Sequence, residues 1–166
     1  VFNDNLINDP KKLIEKIRET RTAVGDGVLV EEYLPGREFT VTVMGNPGIG
    51  KGIYILPIVE QNYDIVPGKY HKFASYEVKW LFEDQLPDAR VAYICPAKLD
   101  ATLEKYITEL CIQAFTVLDC RDVARIDLRL DTDGKPSLLE LNTLPGMMPD
   151  PKVVSYFPIA ARAFGW

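Results

Sequence analysis

The chain is poor in the residues on which several classes of protein depend. Its 166 residues include three cysteines and one histidine, His71. Three cysteines are few and odd in number for a disulfide framework, so we expect Cys95, Cys111 and Cys120 to be reduced core thiols of a cytoplasmic protein. A lone histidine without partner residues in a known motif argues against a zinc site and against a catalytic triad.

Long apolar runs and an excess of positive charge are also missing. No stretch approaches the ~20 apolar residues that cross a bilayer, and the first residues lack the basic-then-apolar pattern of a secretion signal. The formal net charge is −5, from 19 Lys and Arg against 24 Asp and Glu. We therefore expect neither a membrane nor a nucleic acid as a partner. The 47% of apolar residues are enough for a sizeable core.

Apolar periodicity predicts an α+β fold, an antiparallel sheet backed by helices. Residues 39–44 alternate strictly in polarity, as antiparallel strands with one solvated face do. Other strand-like runs occur at 28–33, 53–59, 123–130 and 137–143. Helical spacing covers about 99–118 with Asp100 as the cap, a segment starting at Pro10 and ending before Gly25, and a short stretch near 158–164. Residues 61–77 show no sustained periodicity and predict a long surface loop.

The glycine-rich segment Gly45–Gly52 differs from a phosphate-binding P-loop at one residue. Its last position is glycine, so no hydroxyl is available for Mg²⁺. The segment also lies between two strand-like runs, where a P-loop is followed by a helix. We interpret it as a hairpin loop.

The most informative stretch is a second hairpin near the C-terminus. Asp133-Gly134 lies between two alternating runs and predicts a two-residue turn. Counting outward from that turn places Asp127 opposite Glu140 and Arg125 opposite Asn142, on one face and with Cβ atoms about 5 Å apart. A loop of odd length would separate this group. The alternate residues are expected to point into a core: Ile126, Leu128, Leu139 and Leu141.

Two carboxylates, a carboxamide and a guanidinium on one face allow two interpretations. Hard oxygen ligands at this spacing suit Mg²⁺, which takes few protein carboxylates together with waters and substrate phosphates. The arginine is suited to a phosphate or a developing oxyanion. The alternative is a solvated strand face with Asp–Arg and Glu–Arg pairs. After Asn142, Pro145-Gly146 turns the chain, and the glycine permits close approach of a ligand to backbone N–H groups.

Five runs, in this order, carry a resemblance to a known family. They are Val30-Glu31-Glu32-Tyr33-Leu34-Pro35-Gly36-Arg37-Glu38-Phe39, Tyr76-Glu77-Val78-Lys79-Trp80, Cys95-Pro96-Ala97, Ala124-Arg125-Ile126-Asp127 and Leu139-Glu140-Leu141-Asn142-Thr143-Leu144-Pro145-Gly146-Met147. From about residue 28 onward the sequence resembles the C-terminal part of D-alanine–D-alanine ligases, members of the ATP-grasp superfamily. The resemblance implies that residues 1–166 form the second lobe of an ATP-grasp domain. We expect a fragment of a longer ligase, lacking an N-terminal domain and the first lobe and inactive alone.

The resemblance also implies a reaction and its cofactors. The family joins a carboxylate to an amine with ATP and Mg²⁺ (or Mn²⁺), two ions in all, through an acyl-phosphate, and serves peptidoglycan synthesis. By this similarity Asp127, Glu140 and Asn142 bind the metal ions that bridge the ATP phosphates. Arg125 and the backbone N–H of Gly146 stabilise the acyl-phosphate and the tetrahedral oxyanion. The partners implied are ATP and small amino acids, with a homodimer expected for the full-length protein.

The nucleotide-binding residues are implied in the same way. Glu31, Glu32, Tyr33 and Leu34 correspond to the hinge strand that reads the adenine edge, and Glu38 to the residue that accepts from the ribose hydroxyls. Leu139 would line the floor of the adenine pocket. Lys79 matches the phosphate-contacting lysine of the family, and Trp80 stands where these ligases usually carry a tyrosine of the mobile loop.

The sequence departs from the family after the Pro-Gly-Met turn. A short Thr/Ser-rich run is usual there, with one serine that holds the carboxylate of the acceptor, whereas this chain has Met148-Pro149-Asp150-Pro151-Lys152. Ser155, in a shifted Ser-x-x-Pro motif, is the candidate for that role, with Lys152 as a second carboxylate partner. Two alternatives therefore stay open: a ligase for another amino acid or peptide acceptor, and a non-catalytic nucleotide- or metal-binding lobe.

Overall fold

The computed structural model describes the backbone of residues 1–166 and every side chain except those of Lys51 and Asp84. Its α-helices are α1 (Pro10–Val24), α2 (Ala101–Val117) and α3 (Tyr156–Phe164). Its strands are β1 (Glu38–Asn46), β2 (Ile49–Ile55), β3 (Val59–Gln61), β4 (Tyr93–Ile94), β5 (Val123–Leu130) and β6 (Pro136–Asn142). Short 3₁₀ turns span Asn3–Asn5, Tyr63–Ile65, Glu83–Gln85 and Ala89–Ala92, and one π-helical turn spans Glu77–Phe82.

The strands form a single sheet in which every pair is antiparallel. The order is β4-β3-β1-β5-β6, and β2 pairs with β1 beyond the end of β3. The central strands β1 and β5 stay in register over seven residue pairs, from Glu38↔Arg129 to Met44↔Val123. The antiparallel α+β prediction is therefore confirmed.

The principal core lies between one face of the sheet and α2. Fully buried Val41 of β1 and Ile126 of β5 belong to one cluster with Ile107, Cys111 and Phe115 of α2. These three helix residues are four apart, so they form one stripe that faces the sheet. Two N–H groups at the start of α2 donate to the Asp100 carboxylate at 3.0 Å, which confirms the predicted cap.

The opposite face of the sheet is covered in part by α3. Ile159 and Ala160 of this helix pack with Leu56 and Val59 in a second, smaller cluster. Val59 is paired with Thr40 of β1, and paired antiparallel residues point to the same face. Since neighbouring residues of a strand alternate in direction, this face is the one away from α2.

The predicted strand at 28–33 is wrong, because these residues belong to no strand and form no ladder. The segment returns to the sheet at Gly36, whose N–H donates to the Leu130 carbonyl at 3.0 Å. A Cβ at Gly36 would lie 2.6 Å from that carbonyl oxygen, so only glycine fits this approach. Backbone pairing thus begins just after the run whose β-propensity suggested a strand.

The interpretation of Gly45–Gly52 as a hairpin loop is confirmed. Pro47 and Gly48 lie in a turn between β1 and β2, and the strands extend into the glycine-rich segment from both sides. The side chain of Lys51 lies outside the described part of the chain. Among the helices described for this chain, none is both long enough and apolar enough to cross a membrane.

Candidate functional site

The C-terminal hairpin brings two acidic side chains together on the face away from α2. Asp127 of β5 is paired with Glu140 of β6, and Arg125 is paired with Asn142. Asp127 also lies opposite Thr40 of β1, whose hydroxyl donates to the carboxylate at 2.9 Å. The predicted juxtaposition of the two acids is confirmed.

The loop and the strand pairing that produce this register differ from the predicted two-residue turn. Leu130 pairs with Pro136, which leaves the five residues 131–135 between the strands instead of a two-residue turn. This odd-length loop would have placed Glu140 opposite Ile126 and on the core face. A bulge between the pairs Leu128↔Leu138 and Asp127↔Glu140 leaves Leu139 unpaired on β6 and restores the alternation.

The bulge also changes the expected position of Leu139. A core position was expected for this residue, but its side chain is 46% exposed, and Leu138 is exposed as well. Leu139 lines a shallow groove with Ala114 and Leu118 of the α2 end. The expectation of a core leucine is therefore wrong, since the bulge turns this part of the strand away from regular alternation.

Arg125 joins the two carboxylates in the structure. Its Nε and Nη2 donate to Asp127 at 2.8–3.2 Å, and Nη2 also donates to Glu140 Oε1 at 2.9 Å. The guanidinium carbon lies 6.0 Å from the centre of the Tyr156 ring on α3. The ion pairs of the alternative interpretation are thus present, and they hold two like charges together on one face.

The two acids differ in their surroundings. The Asp127 side chain is 16% exposed, whereas that of Glu140 is 62% exposed. Burial raises the pKa of Asp127; the positive charge of Arg125 and the Thr40 hydrogen bond oppose this, and the nearby Glu140 carboxylate adds to it. Asp127 is therefore the enclosed member of the pair, and Glu140 is the member open to a ligand.

The oxygen donors fit a cation that is completed by other ligands. Asp127 and Glu140 offer carboxylate oxygens, and the carboxamide of Asn142 stands two residues along β6. Within the described side chains, no group of three or more His, Cys, Asp and Glu residues could hold a metal ion. Mg²⁺ is commonly bound by one or two carboxylates with waters and substrate phosphates, so the donor set suits such an ion.

The loop after β6 is closed by local hydrogen bonds. The Asn142 Oδ1 accepts from the Leu144 N–H at 3.0 Å. The Ser155 hydroxyl donates to the Gly146 carbonyl at 2.9 Å and accepts from the Met148 N–H at 3.2 Å. Ser155 is 7% exposed, so its hydroxyl holds the loop in this structure. Gly146 and Lys152 are exposed.

Glu38, expected to contact the ribose, lies on the same face as the acid pair, whereas Leu139, expected to line the adenine pocket, lies in the groove beside α2. Glu38 of β1 is 7% exposed, and its carboxylate accepts from Tyr63 and from Arg129, each at 2.9 Å. Burial raises the pKa of Glu38, while the positive charges of Arg129 and Lys79 and the Tyr63 hydrogen bond act against that rise. Both hydrogen bonds, from Tyr63 and from Arg129, are to Oε2 of the Glu38 carboxylate.

The remaining predicted residues are more exposed. Tyr33 is 37% exposed, and its hydroxyl accepts from Arg129 at 3.2 Å. Glu31 and Glu32 are exposed, and Leu34 is half-buried. Trp80 lies in the π-helical turn with 59% of its surface exposed.

Sequence reasoning missed four side chains that contact the predicted site: Thr40, Tyr63, Arg129 and Tyr156. Thr40 and Arg129 had a signal, because their two-residue spacing from Glu38 and Asp127 places them on the same strand faces. Tyr63 and Tyr156 had none, since their contacts depend on the tertiary path of distant segments.

Comparison with known proteins gives these residues a context. A family described as "D-ala D-ala ligase C-terminus" matches residues 6–166. The chain belongs to this ligase family. A D-alanine–D-alanine ligase of Cupriavidus necator is 36% identical over 149 residues, which are 89% of this chain and 39% of that protein. An uncharacterized protein of Sinorhizobium fredii, y4sG, is 33% identical over 147 residues, or 88% of this chain and 40% of its own length.

The fold of the ligase family is shared as well. A Bacillus anthracis D-alanine–D-alanine ligase, solved in complex with ATP, matches with a TM-score of 0.65 and 25% identity. The match covers 96% of this chain and 43% of that one. The expected ATP-grasp fold is thus confirmed, and the chain spans about two fifths of the length of the curated relatives it matches.

Proposed function

We propose that the full-length gene product is an ATP- and Mg²⁺-dependent carboxylate–amine ligase, with D-alanine as both donor and acceptor. ATP phosphorylates the carboxylate of one amino acid, and the amine of the second displaces phosphate to form the C–N bond. Family membership and the names of the relatives support this proposal. The Bacillus anthracis relative in complex with ATP supports the nucleotide.

The observation that carries the proposal is the placement of Asp127, Glu140 and Asn142 on adjacent strands, with the two acids directly paired. These residues would hold Mg²⁺, or Mn²⁺ in its place, with two ions in the complete site. A bound ion would supply positive charge to the ATP phosphates.

The chain's own residues would provide the remaining positive charge. Arg125 donates to both acids, so its guanidinium would lie beside a phosphoryl group bound at this metal site. Its planar set of donors suits a phosphate or a tetrahedral oxyanion, which the backbone N–H of Gly146 would also stabilise. Catalysis would then rest on positioning and electrostatic stabilisation, without a covalent enzyme intermediate.

Nucleotide and amino acid would occupy opposite ends of this region. Glu31, Glu32, Tyr33 and Leu34 would surround the adenine, Glu38 the ribose, and Lys79 the phosphates. Trp80 would cover the site, and Ser155 with Lys152 would hold the acceptor carboxylate. We propose a cytoplasmic homodimer that serves cell-wall synthesis.

The segment from Met148 to Ser155 favours a second candidate, the same reaction with another amino acid or peptide as acceptor. The Ser155 hydroxyl is occupied by the Gly146 carbonyl and the Met148 N–H. An acceptor carboxylate would have to displace one of these contacts or bind elsewhere.

The test is phosphate release by the full-length protein with Mg·ATP and single amino acids of both configurations. Release that depends on D-alanine supports the first candidate, and release with a different acceptor supports the second. Calorimetry with Mg·ATP on the same protein measures nucleotide binding independently of phosphate release, and the two results together separate a ligase from a binding lobe. Nucleotide binding without phosphate release from any amino acid or dipeptide would contradict the ligase proposal.

A further inference from the structure

One arginine outside the predicted site joins three separate segments of the chain. Arg129, on β5, is 4% exposed. Its Nη1 donates to Glu38 on β1 at 2.9 Å, and its Nη2 donates to the Tyr33 hydroxyl at 3.2 Å and to the Lys72 carbonyl. Its guanidinium carbon also lies 5.1 Å from the ring centre of Tyr33 and 5.5 Å from that of Tyr63.

These contacts are concentrated on residues of the proposed nucleotide site. The segment 26–37 that carries Tyr33 belongs to no strand, and the described contacts of the Tyr33 side chain run to Arg129 and to the ring of Phe73. Glu38, the proposed ribose ligand, shares its carboxylate between Arg129 and Tyr63. Arg129 thus holds the side chain of Glu38, whose backbone the sheet already fixes, and contacts Tyr33, which lies outside the sheet.

Stability alone is a poor explanation for this arrangement. Burial removes water from both charges of the Arg129–Glu38 pair, and such pairs often stabilise a fold no better than apolar side chains of similar volume. The Arg129 Nε is also buried and has no hydrogen-bond partner among the described residues. An unpaired buried donor is unfavourable, so the guanidinium is placed for its contacts with Glu38 and Tyr33 at a cost to the fold.

We propose that Arg129 is a positioning residue for the nucleotide: it orients the Glu38 carboxylate and holds Tyr33 and the backbone at Lys72 beside it. The inference rests on the proposed function, because it concerns the nucleotide of that reaction. Lysine cannot replace Arg129, since a single ammonium lacks the planar fork that reaches Glu38 and Tyr33 at once.

The test compares Arg129→Lys and Arg129→Met with the wild type in the full-length protein. Calorimetry with Mg·ATP gives the Kd, and phosphate release gives the KM of ATP and of D-alanine. We expect both variants to weaken Mg·ATP binding about tenfold, because contacts between charged partners are lost. The KM of D-alanine should stay within about twofold, since the acceptor site is not attached to Arg129.

Arg37→Lys is the matched control. Arg37 also forms a two-pronged pair with a carboxylate, that of Glu60, and lies over an aromatic ring, that of Phe39. Its substitution should lower the melting temperature without changing the Kd of Mg·ATP. A Kd that rises equally in Arg37→Lys, or a KM of D-alanine that rises in step with that of ATP, would overturn the positioning role.

Three further outcomes are decisive. If neither Arg129 variant folds, Tyr33→Phe decides, because it removes the hydroxyl that Arg129 contacts; we expect about threefold weaker Mg·ATP binding, and an unchanged Kd refutes the inference. A wild-type protein that does not bind Mg·ATP overturns the proposed function and the inference with it. Wild-type binding combined with unchanged binding in folded Arg129 variants overturns the inference alone.

Discussion

Substituting the two paired acids should separate their effect on stability from their effect on the reaction. Asp127 is 16% exposed and accepts hydrogen bonds from Arg125 and Thr40, whereas Glu140 is 62% exposed and accepts from Arg125. Asp127→Asn should therefore lower the free energy of unfolding by about 1.5–3 kcal/mol, the range for hydrogen bonds to charged groups. Glu140→Gln should lower it by less than about 1 kcal/mol, as for other exposed ion pairs.

The rate of the reaction should respond in a different way. If both acids hold the metal ion that binds the phosphate transferred from ATP, either substitution should lower kcat by about 100-fold or more. This is the effect of losing one preorganised electrostatic contact. Urea denaturation and Mg·ATP-dependent phosphate release, on the full-length protein, measure the two quantities. Glu140→Gln, which is nearly neutral for stability, is the more telling variant.

Glu60→Gln provides the control for this comparison. Glu60 is 9% exposed and paired with Arg37, away from the acid pair, so its substitution should destabilise the protein and leave kcat unchanged. A near-normal rate in Asp127→Asn or Glu140→Gln would refute the metal role. Rate losses that simply follow the stability losses of all three variants would show that the carboxylates are structural.

Three further predictions follow from the contacts of single side chains. Ser155→Ala removes the hydroxyl that holds the loop at Gly146, so the free energy of unfolding should fall by about 1 kcal/mol in a urea titration and the KM of the acceptor should rise. Burial raises the pKa of Glu38 above 4.5, so the folded state binds the proton of this carboxyl more tightly than the unfolded state does. The difference in unfolding free energy between the wild type and Glu38→Gln should therefore fall as the pH rises above 4.5. A difference that stays constant or rises with pH would contradict this. Burial raises the pKa of Cys95 to about 11 and that of Cys111 to about 12, so both thiols should react with a disulfide reagent at pH 8 far more slowly in the folded protein than in urea.

The sheet and its helices were accessible from the sequence because their signals are local. Asp100 caps α2 as predicted, and the alternation of 39–44 correctly predicts a strand. The expected solvated face of that strand is wrong, because Thr40 and Thr42 are 3% and 1% exposed. The run at 28–33 has a strand-like composition, but strand formation requires a neighbour with free backbone groups, and no strand of the described sheet pairs with it. Composition cannot supply that information.

The acid pair was predicted correctly although the turn was not. Asp133-Gly134 suggested a two-residue turn, and the loop of residues 131–135 is longer by an odd number. The bulge at Leu139 offsets this difference, and it leaves Asp127 opposite Glu140. A bulge has little sequence signature. Counting residues outward from a predicted turn can therefore place a side chain on the correct face although the predicted loop is wrong.

The contacts of the buried arginine Arg129 could not be predicted from the sequence. Glu38 was expected to face a ligand, but its partners come from β5 and from residue 63, which lie far along the chain. A charged residue in a predicted strand indicates that the charge has a partner, but the sequence does not show which residue that partner is. The same holds for Arg125, whose contacts with both acids were considered only as an alternative to metal binding.

A structure of the full-length protein with Mn²⁺ and a non-hydrolysable ATP analogue tests the central claim most directly. The account predicts anomalous scattering from manganese bonded to oxygens of Asp127, Glu140 and Asn142 and to the phosphates of the analogue. Manganese bound elsewhere, or Arg125 still joining both carboxylates with the analogue in place and no metal beside them, would contradict it.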